Sequence, residues 1–323
     1  MIIPCHNESR AIAAVVRDFQ LALPEALVVV ADNASADDTA AVASEAGALV
    51  VSEPRIGKGW AVRKLFADVD ADVYLLTDGD GECDPQSAKQ MVQLVSDGDC
   101  DMVIGSRRSP DGVSSYRPGH RLGNATLTWI FQQLFDFQIT DTLSGYRAIS
   151  RRVVKSFPSR AIGFELEAEL NAHAAVVGVN VAEVPTVFRG RPFGDQSKLS
   201  TFRDGIKILR LNFRLFRDAR PSLAFMILSL PWFLITIWCL TVALRNYLES
   251  GSIISLPNLI AGLIAFMIFL MVLVAGITME RITRNRNEVL LLAYLSQPGA
   301  CQISHSMRAN SRGAADESHP ELS

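Results

Sequence analysis

Paired cysteines are missing from this chain. Its five cysteines (Cys5, Cys83, Cys100, Cys239, Cys301) show no CxxC and no paired spacing, so no disulfide framework is implied and free thiols in a reducing compartment are expected. A strong excess of one charge is also missing. The formal net charge of −3 over 323 residues excludes the basic field of a nucleic-acid binder. No internal repeat is visible. No secretory signal precedes the first apolar run, because the chain opens directly on Met1-Ile2-Ile3-Pro4; that abrupt start suggests a missing short leader or a misassigned start.

Charge is wholly absent from residues 221–244 and 250–279. Each stretch exceeds the roughly 20 residues that cross a bilayer as a helix. The competing reading is a pair of buried core helices, but their length and lack of charge favour two membrane spans. Pro231 is tolerable there as a kink. Lys207, Arg210, Arg214, Arg217 and Arg220 precede the first span, and Arg281, Arg284 and Arg286 follow the second. The connector holds only Arg245 and Glu249. The positive-inside rule therefore places both flanks in the cytoplasm, with a short external loop.

Among what is present, residues 72–84 organise the rest. The apolar run Val73-Tyr74-Leu75-Leu76 is long enough for one buried strand and stops at Asp78-Gly79-Asp80-Gly81-Glu82. Three carboxylates are thus expected at the C-terminal end of a strand, where open α/β sheets bind ligands. Like charges so close call for a cation or a proton, and a hard divalent ion, Mg²⁺ or Mn²⁺, bridging to phosphate oxygens is the economical reading. A calcium EF-hand loop fits poorly, since its sixth position is Cys83 and its twelfth is Lys89. The bland alternative is a solvated acidic turn.

Taken in order, the chain alternates strands and helices. Ile2-Ile3 opens a strand that ends at Pro4-Cys5-His6-Asn7-Glu8. Residues 10–22 show helical spacing, with Ile12, Val15, Val16 and Phe19 on one face. Leu27–Val30 reads as a second strand leading to Asp32-Asn33-Ala34-Ser35, with Ser35 as N-cap of a helix that runs to about Ala46. Leu49–Val51 is a third strand, Gly57-Lys58-Gly59 opens another helix, and residues 86–97 form the next before the strand Met102–Ile104. This predicts an α/β fold with a mostly parallel sheet covered on both faces. Then follow a Pro/Gly/Ser-rich loop (109–119), a helix over 121–135, the block Asp141–Arg147, a helix over 164–177 carrying Glu165, Glu167 and Glu169, and a strand over 181–188. Residues 189–194 are a second breaker-rich loop, ahead of Ser197-Lys198. An amphipathic, interfacial helix is expected over 201–219, a short apolar helix over 289–295 and a disordered tail over 303–323.

Together these blocks resemble family 2 glycosyltransferases of GT-A fold, in particular the polyprenyl-phosphate branch that includes dolichol-phosphate mannose synthases and bactoprenol-phosphate sugar transferases. Pro4-Cys5-His6-Asn7-Glu8 matches the family's Pro-x-x-Asn-Glu. Asp32–Thr39 matches Asp-Asp-Gly-Ser-Thr-Asp-Gly-Thr, with departures that include Asn33, Ala34 and Asp38. Gly57-Lys58-Gly59, the Asp78-Gly79-Asp80 metal motif, Gly105-Ser106-Arg107, Ser144–Arg147 and Ser197-Lys198 match further blocks. The likeness covers roughly residues 1–200 and extends to the paired C-terminal spans. The Gln-x-x-Arg-Trp of the processive synthases is absent. The domain plan is then a cytoplasmic catalytic domain (1–200), an interfacial helix (201–220), two spans (221–280) and a cytoplasmic tail (281–323).

The resemblance implies transfer of a sugar from a UDP- or GDP-linked donor to a polyprenyl phosphate at the cytoplasmic membrane. It implies Asp80 as the metal-binding residue, with Asp78 beside it and Glu82 contributing, and Pro4, Asn7, Glu8, Asp32 and Lys58 at the nucleotide. A phosphate acceptor is already ionised near neutral pH and needs positioning more than a base. Arginine suits that task. Arg117 and Arg121 are the candidates for the acceptor phosphate, Arg191 and Lys198 for closure over the diphosphate, Arg147 for a further phosphate contact, and Glu165 and Glu167 for sugar hydroxyls. Two rivals stay open: a sugar-hydroxyl acceptor served by Asp141 or Glu165 as base, and an inactive membrane scaffold. Homo-oligomerisation stays open as well.

Overall fold

The computed structural model describes residues 1–108, 139–163, 165–187, 216–251 and 256–299, with isolated positions between 128 and 135 and at 213. It contains two compact units: Met1–Ile208 with Leu290–Ser323, and Leu209–Val289.

In the first unit the short apolar runs become β1 (Ile2–Cys5), β2 (Val29–Asp32), β3 (Leu49–Ser52), β4 (Val73–Leu76), β5 (Met102–Arg108), β6 (Arg147–Ser150) and β7 (Val181–Val187). Between them lie α1 (Ile12–Ala22), α2 (Thr39–Glu45), α3 (Lys58–Asp68), α4 (Gln86–Ser96), α5 (Arg151–Ser156) and α6 (Leu166–Val177). The strands form one seven-stranded sheet in the order β3-β2-β1-β4-β6-β5-β7. β6 runs antiparallel to both β4 and β5, and every other pairing is parallel. The sheet is therefore mostly parallel, as the alternating sequence predicts.

Strand periodicity sorts the core into two layers. Leu75, Ala148 and Val103 sit side by side in register and join the apolar faces of α1 (Ile12, Val15, Val16, Phe19) and α4 (Ala88, Met91, Val95). Tyr74 and Ile149, one residue along, are also buried, and the Tyr74 ring packs edge-on against Phe66 of α3 at 6.0 Å. Strands covered on both faces must read as unbroken apolar runs, which is why Val28–Ala31 and Val73–Leu76 do not alternate.

Three local expectations differ. Ser35 does not cap α2: the helix begins at Thr39, and the Asp37 carboxylate accepts the Thr39 N–H at 3.1 Å, while Ser35 Oγ accepts the Asn7 N–H at 3.0 Å. β6 and α5 add a strand and a helix where the sequence shows a polar block. The apolar segment over 289–295 is not a separate helix, because no proline or glycine interrupts Glu280–Glu288 and the helix runs on unbroken. The loops 109–119 and 189–194, most of the helices expected at 121–135 and 201–219, and the tail 303–323 lie outside the described residues.

The second unit holds α7 (Pro221–Ser250) and most of α8 (Leu256–Leu295), both long and apolar enough to cross a membrane. They pack as an antiparallel hairpin. The Phe233 and Phe269 rings meet at a tilt with centroids 5.2 Å apart, and the Ser222 N–H donates to Glu280 at 3.3 Å. A Cβ at Gly276 would lie 2.6 Å from Phe225 Cβ, so glycine lets the helices approach there.

Candidate active site

The sheet order changes direction between β1 and β4, and ligands of open α/β sheets bind at such a switch point, beyond the carboxyl ends of the strands. Asn7 and Glu8 follow β1, Asp32 ends β2, Glu53 follows β3 and Asp78 follows β4.

Two strand-end loops are laced together. Asn7 adopts a left-handed backbone (φ 57°), which asparagine tolerates better than most residues, and its side-chain oxygen accepts the Ala36 N–H at 2.7 Å. The Glu8 N–H donates to Thr39 Oγ1 at 2.9 Å, and the Ser9 N–H to Asp37 at 3.2 Å. Burial alone would raise the Asp37 carboxyl, but bonds from Thr39 and Ser9 outweigh it and bring it to about 2. Behind this pair, Asn33 is a hub. Its amide donates to the carbonyls of Glu53 (3.2 Å) and Arg55 (2.6 Å), while its oxygen accepts the Gly57 N–H at 2.7 Å. Arg55 returns a bidentate pair to Glu53 at 2.6 and 2.7 Å, and those bonds pull the Glu53 carboxyl down to about 2. At the end of β2, one oxygen of Asp32 (Oδ1) is buried with no hydrogen-bond partner. Such a group awaits a donor.

The acid stretch lies at the same edge. Cys5 sits directly beneath it: a Cβ on Gly79 would come within 2.4 Å of Cys5 Sγ, so only glycine passes there. Burial pushes the Cys5 thiol well up, and the charges of Glu8, Asp78, Asp32 and Asp80 each push it further. Burial, followed by Asp78, likewise raises Cys83 to about 12. Asp80 accepts the Glu82 N–H at 3.2 Å.

Asp78 is already partnered, its Oδ1 lying 2.6 Å from Lys58 Nζ. Lys58 also meets Glu167 Oε1 at 2.7 Å. Burial would lower the Lys58 ammonium, but Asp78 and Glu167 together raise it well above its ordinary value, so it stays charged. Among the described residues, no three His, Cys, Asp or Glu side chains are grouped as a metal cage. The expected trio Asp78, Asp80 and Glu82 is therefore not a closed site. Hard carboxylate oxygens at a crowded anionic edge nonetheless fit Mg²⁺ or Mn²⁺, which commonly takes only one or two protein carboxylates and completes its shell with water and substrate phosphate.

Elsewhere the side chains divide clearly. Arg147 is fully buried: Nε donates to the Ser144 carbonyl at 2.8 Å, Nη1 to Asn171 at 2.5 Å and Nη2 to the Thr142 carbonyl at 3.3 Å. Its fork is engaged by groups inside the protein. Glu165 accepts the Gly163 N–H at 3.1 Å, and Glu169 accepts Arg160 and Ala161 N–H groups at 2.9 Å. Only Glu167 of the three turns inward. Asp141 is held by Arg107 in a fork of 2.8 and 3.1 Å. Arg117, Arg121, Arg191 and Lys198 lie outside the described residues. The Asn33 hub and the Arg107–Asp141 fork were not foreseen; the departure of Asn33 from the family pattern was the one signal available for the first.

Residues 1–157 match the family model described as Glycosyl transferase family 2. The fold resembles the crystal structure of glucosyl-3-phosphoglycerate synthase from Mycobacterium tuberculosis in complex with Mn²⁺, UDP-glucose and phosphoglyceric acid (TM-score 0.53, 22% identity, 67% of this chain and 78% of that one). At that identity the likeness is one of fold. A dolichyl-phosphate hexose transferase of Haloferax volcanii is 29% identical over 209 residues, 64% of this chain and 89% of that protein. Protein RfbJ of Shigella flexneri is 49% identical over 121 residues, which is 38% of this chain and 94% of RfbJ. With nearly all of that relative aligned and the fold in agreement, the chain belongs to glycosyl transferase family 2 and is a glycosyltransferase.

Proposed function

We propose that this enzyme moves a sugar from a nucleoside-diphosphate donor to a polyprenyl phosphate, inverting the anomeric centre and leaving a lipid-phosphate-linked monosaccharide. The observation that carries the reading is the placement of Glu8, Asp32, Asp78 and Asp80 at or just beyond the carboxyl ends of β1, β2 and β4, beside the switch point of the sheet, with one Asp32 oxygen buried and unpartnered. A nucleotide base or ribose brings N–H or O–H donors to Asp32 and Glu8, beside Pro4 of β1 and the His6-Asn7 bend that follows it. A diphosphate brings only negative charge, so it needs a cation between itself and the acids. Asp80 would hold Mg²⁺ or Mn²⁺, with Asp78 and Glu82 beside it, and the ion when bound supplies charge neutralisation for the departing nucleoside diphosphate.

The acceptor half rests on two supports. α7 and α8 have the length and apolarity of membrane spans, and cationic residues flank them, which favours a catalytic unit held at the cytoplasmic face of the inner membrane, near a lipid phosphate. A dolichyl-phosphate hexose transferase among the relatives points to the same acceptor class. The rival reading, a sugar-hydroxyl acceptor, needs a free carboxylate base. Asp141 is clasped by Arg107 and Glu165 accepts a backbone N–H, which disfavours it, whereas a phosphate acceptor needs no base. Arg117 and Arg121 are assigned to the acceptor phosphate and Arg191 and Lys198 to the diphosphate. The test is to incubate membranes containing the enzyme with undecaprenyl phosphate and a panel of UDP- and GDP-sugars, and to identify the lipid product by mass spectrometry. A lipid-phosphate monosaccharide supports the reading; glycosylation of a lipid-linked glycan instead would overturn it.

A further inference from the structure

The last turn of α8 ends in a polar clasp. Residues from Leu290 onward belong to the first compact unit, although most of α8 belongs to the second. α8 has 40 residues, about 60 Å of helix, whereas the hydrocarbon core of a bilayer is about 30 Å thick. Much of the helix therefore extends past any membrane, and Glu280, Arg281, Arg284, Arg286 and Glu288 mark that part. Neither proline nor glycine follows Gly276 within it, so it has no hinge before its last turn.

Tyr294, in that last turn, is 7% exposed. Its hydroxyl donates to Asp101 Oδ2 at 2.6 Å and accepts from Arg152 Nη1 at 3.3 Å, and the Arg152 guanidinium lies over the ring, 5.1 Å from its centre. The other Asp101 oxygen accepts the Ser150 hydroxyl at 2.8 Å. Gly299 then passes so close to Arg152 that a Cβ there would have to displace the guanidinium. Asp101 immediately precedes β5, Ser150 ends β6 and Arg152 lies in α5. Ser150 is in register with Val73, the first residue of β4, whereas Asp78 follows the last. The clasp thus sits at the end of the sheet opposite the acid edge, out of reach of the substrates. A phenol donating to a carboxylate is a strong, directional bond, and the proposed chemistry has no use for it.

We propose that Tyr294 is a positioning residue: its bond to Asp101 makes the end of α8 a second tether of the catalytic unit, besides the connection at 208–209, and so restricts the poses in which the site meets an acceptor held in the membrane. The inference rests on the membrane-borne acceptor reading above. On one tether the unit swivels, and apparent acceptor affinity falls with the fraction of poses that reach the lipid phosphate. A donor arriving from solution is indifferent to pose.

The full chain in nanodiscs of phosphatidylethanolamine and phosphatidylglycerol tests this in two arms. Amide exchange reads the clasp itself, whatever the substrates. In Tyr294→Phe and in Asp101→Ala the amides of residues 290–296 should exchange about 10- to 100-fold faster, with those of β1 and β4 unchanged. The double variant should exchange no faster than the faster single one, because both groups serve one bond. In turnover with undecaprenyl phosphate in the disc, Tyr294→Ala, which removes the ring as well, should lower kcat/KM for the acceptor about tenfold and leave KM for the nucleotide sugar within about twofold. Unaltered exchange at 290–296 overturns the proposal. Faster exchange with unaltered acceptor kinetics, or equal losses for donor and acceptor as a merely structural role would give, overturns it too. If the exchange result holds but the wild type makes no lipid-linked product with any donor, the acceptor reading fails, and the positioning role falls with it.

Discussion

Asn33 stands where the family pattern has an aspartate, and its surroundings explain why. Two carbonyls, those of Glu53 and Arg55, point at its amide, and an aspartate would face both with negative charge. Asn33→Asp should therefore destabilise the chain by about 1–3 kcal/mol, read as a lowered thermal unfolding midpoint of the full protein in detergent. Its neighbour departs from the pattern in the opposite sense. Ala34 has a left-handed backbone (φ 53°) at a position where the family carries glycine. An alanine there is strained by about 1–2 kcal/mol, offset in part by the greater freedom glycine has when unfolded. Ala34→Gly should raise the unfolding midpoint; a fall would show that the turn is not strained. Acid should loosen the same edge. Asp37 and Glu53 both have carboxyls lowered to about 2, so their stabilisation is fully present above the ordinary carboxylate range near 4. It is lost as pH falls from about 4 through about 2. Glu53→Gln should flatten the acid-unfolding curve across that window, and an unchanged curve would contradict the assignment.

At the scale of elements, β6 was the least legible part of the sheet. Arg147-Ala-Ile-Ser is short and begins with a charge, and a strand interior is a poor place for an unpaired arginine. The burial makes sense only once Ser144, Thr142 and Asn171, the last on a helix 24 positions away, turn their acceptors toward the guanidinium. Burial lowers Arg147 to about 10, which still leaves it charged at neutral pH. Arg147→Met should lower stability by about 3–5 kcal/mol, because it strands those acceptors. If the variant unfolded normally and lost only acceptor affinity, Arg147 would instead be a ligand-binding residue. By contrast β1, β2 and β4 were readable because each is an apolar run ended by polar residues. In the apolar hairpin, Gly276→Val would push against Phe225. A loss of about 1–3 kcal/mol is expected, recovered in part by Phe225→Ala, with unfolding in detergent as the readout.

For the whole molecule, the alternation of strand and helix and the two charge-free stretches were sufficient to anticipate an α/β unit joined to an apolar hairpin. The chemistry at the sheet edge was legible only in part. Asp78 looked like half of a metal pair, yet its partner in the fold is Lys58, and the link from Lys58 to Glu167 spans 109 positions that no local pattern connects. Asp80 carries the greater share of the proposed ion binding. Substituting it should abolish turnover without unfolding the protein. The most direct test of the account is therefore one assay: wild-type and Asp80→Ala enzyme, each with undecaprenyl phosphate, the UDP- and GDP-sugar panel and Mn²⁺, with the lipid fraction analysed by mass spectrometry. The account predicts a lipid-phosphate monosaccharide from the wild type and none from a folded Asp80→Ala protein. Undiminished product from Asp80→Ala, or no lipid-phosphate sugar from the wild type with any donor, would contradict it.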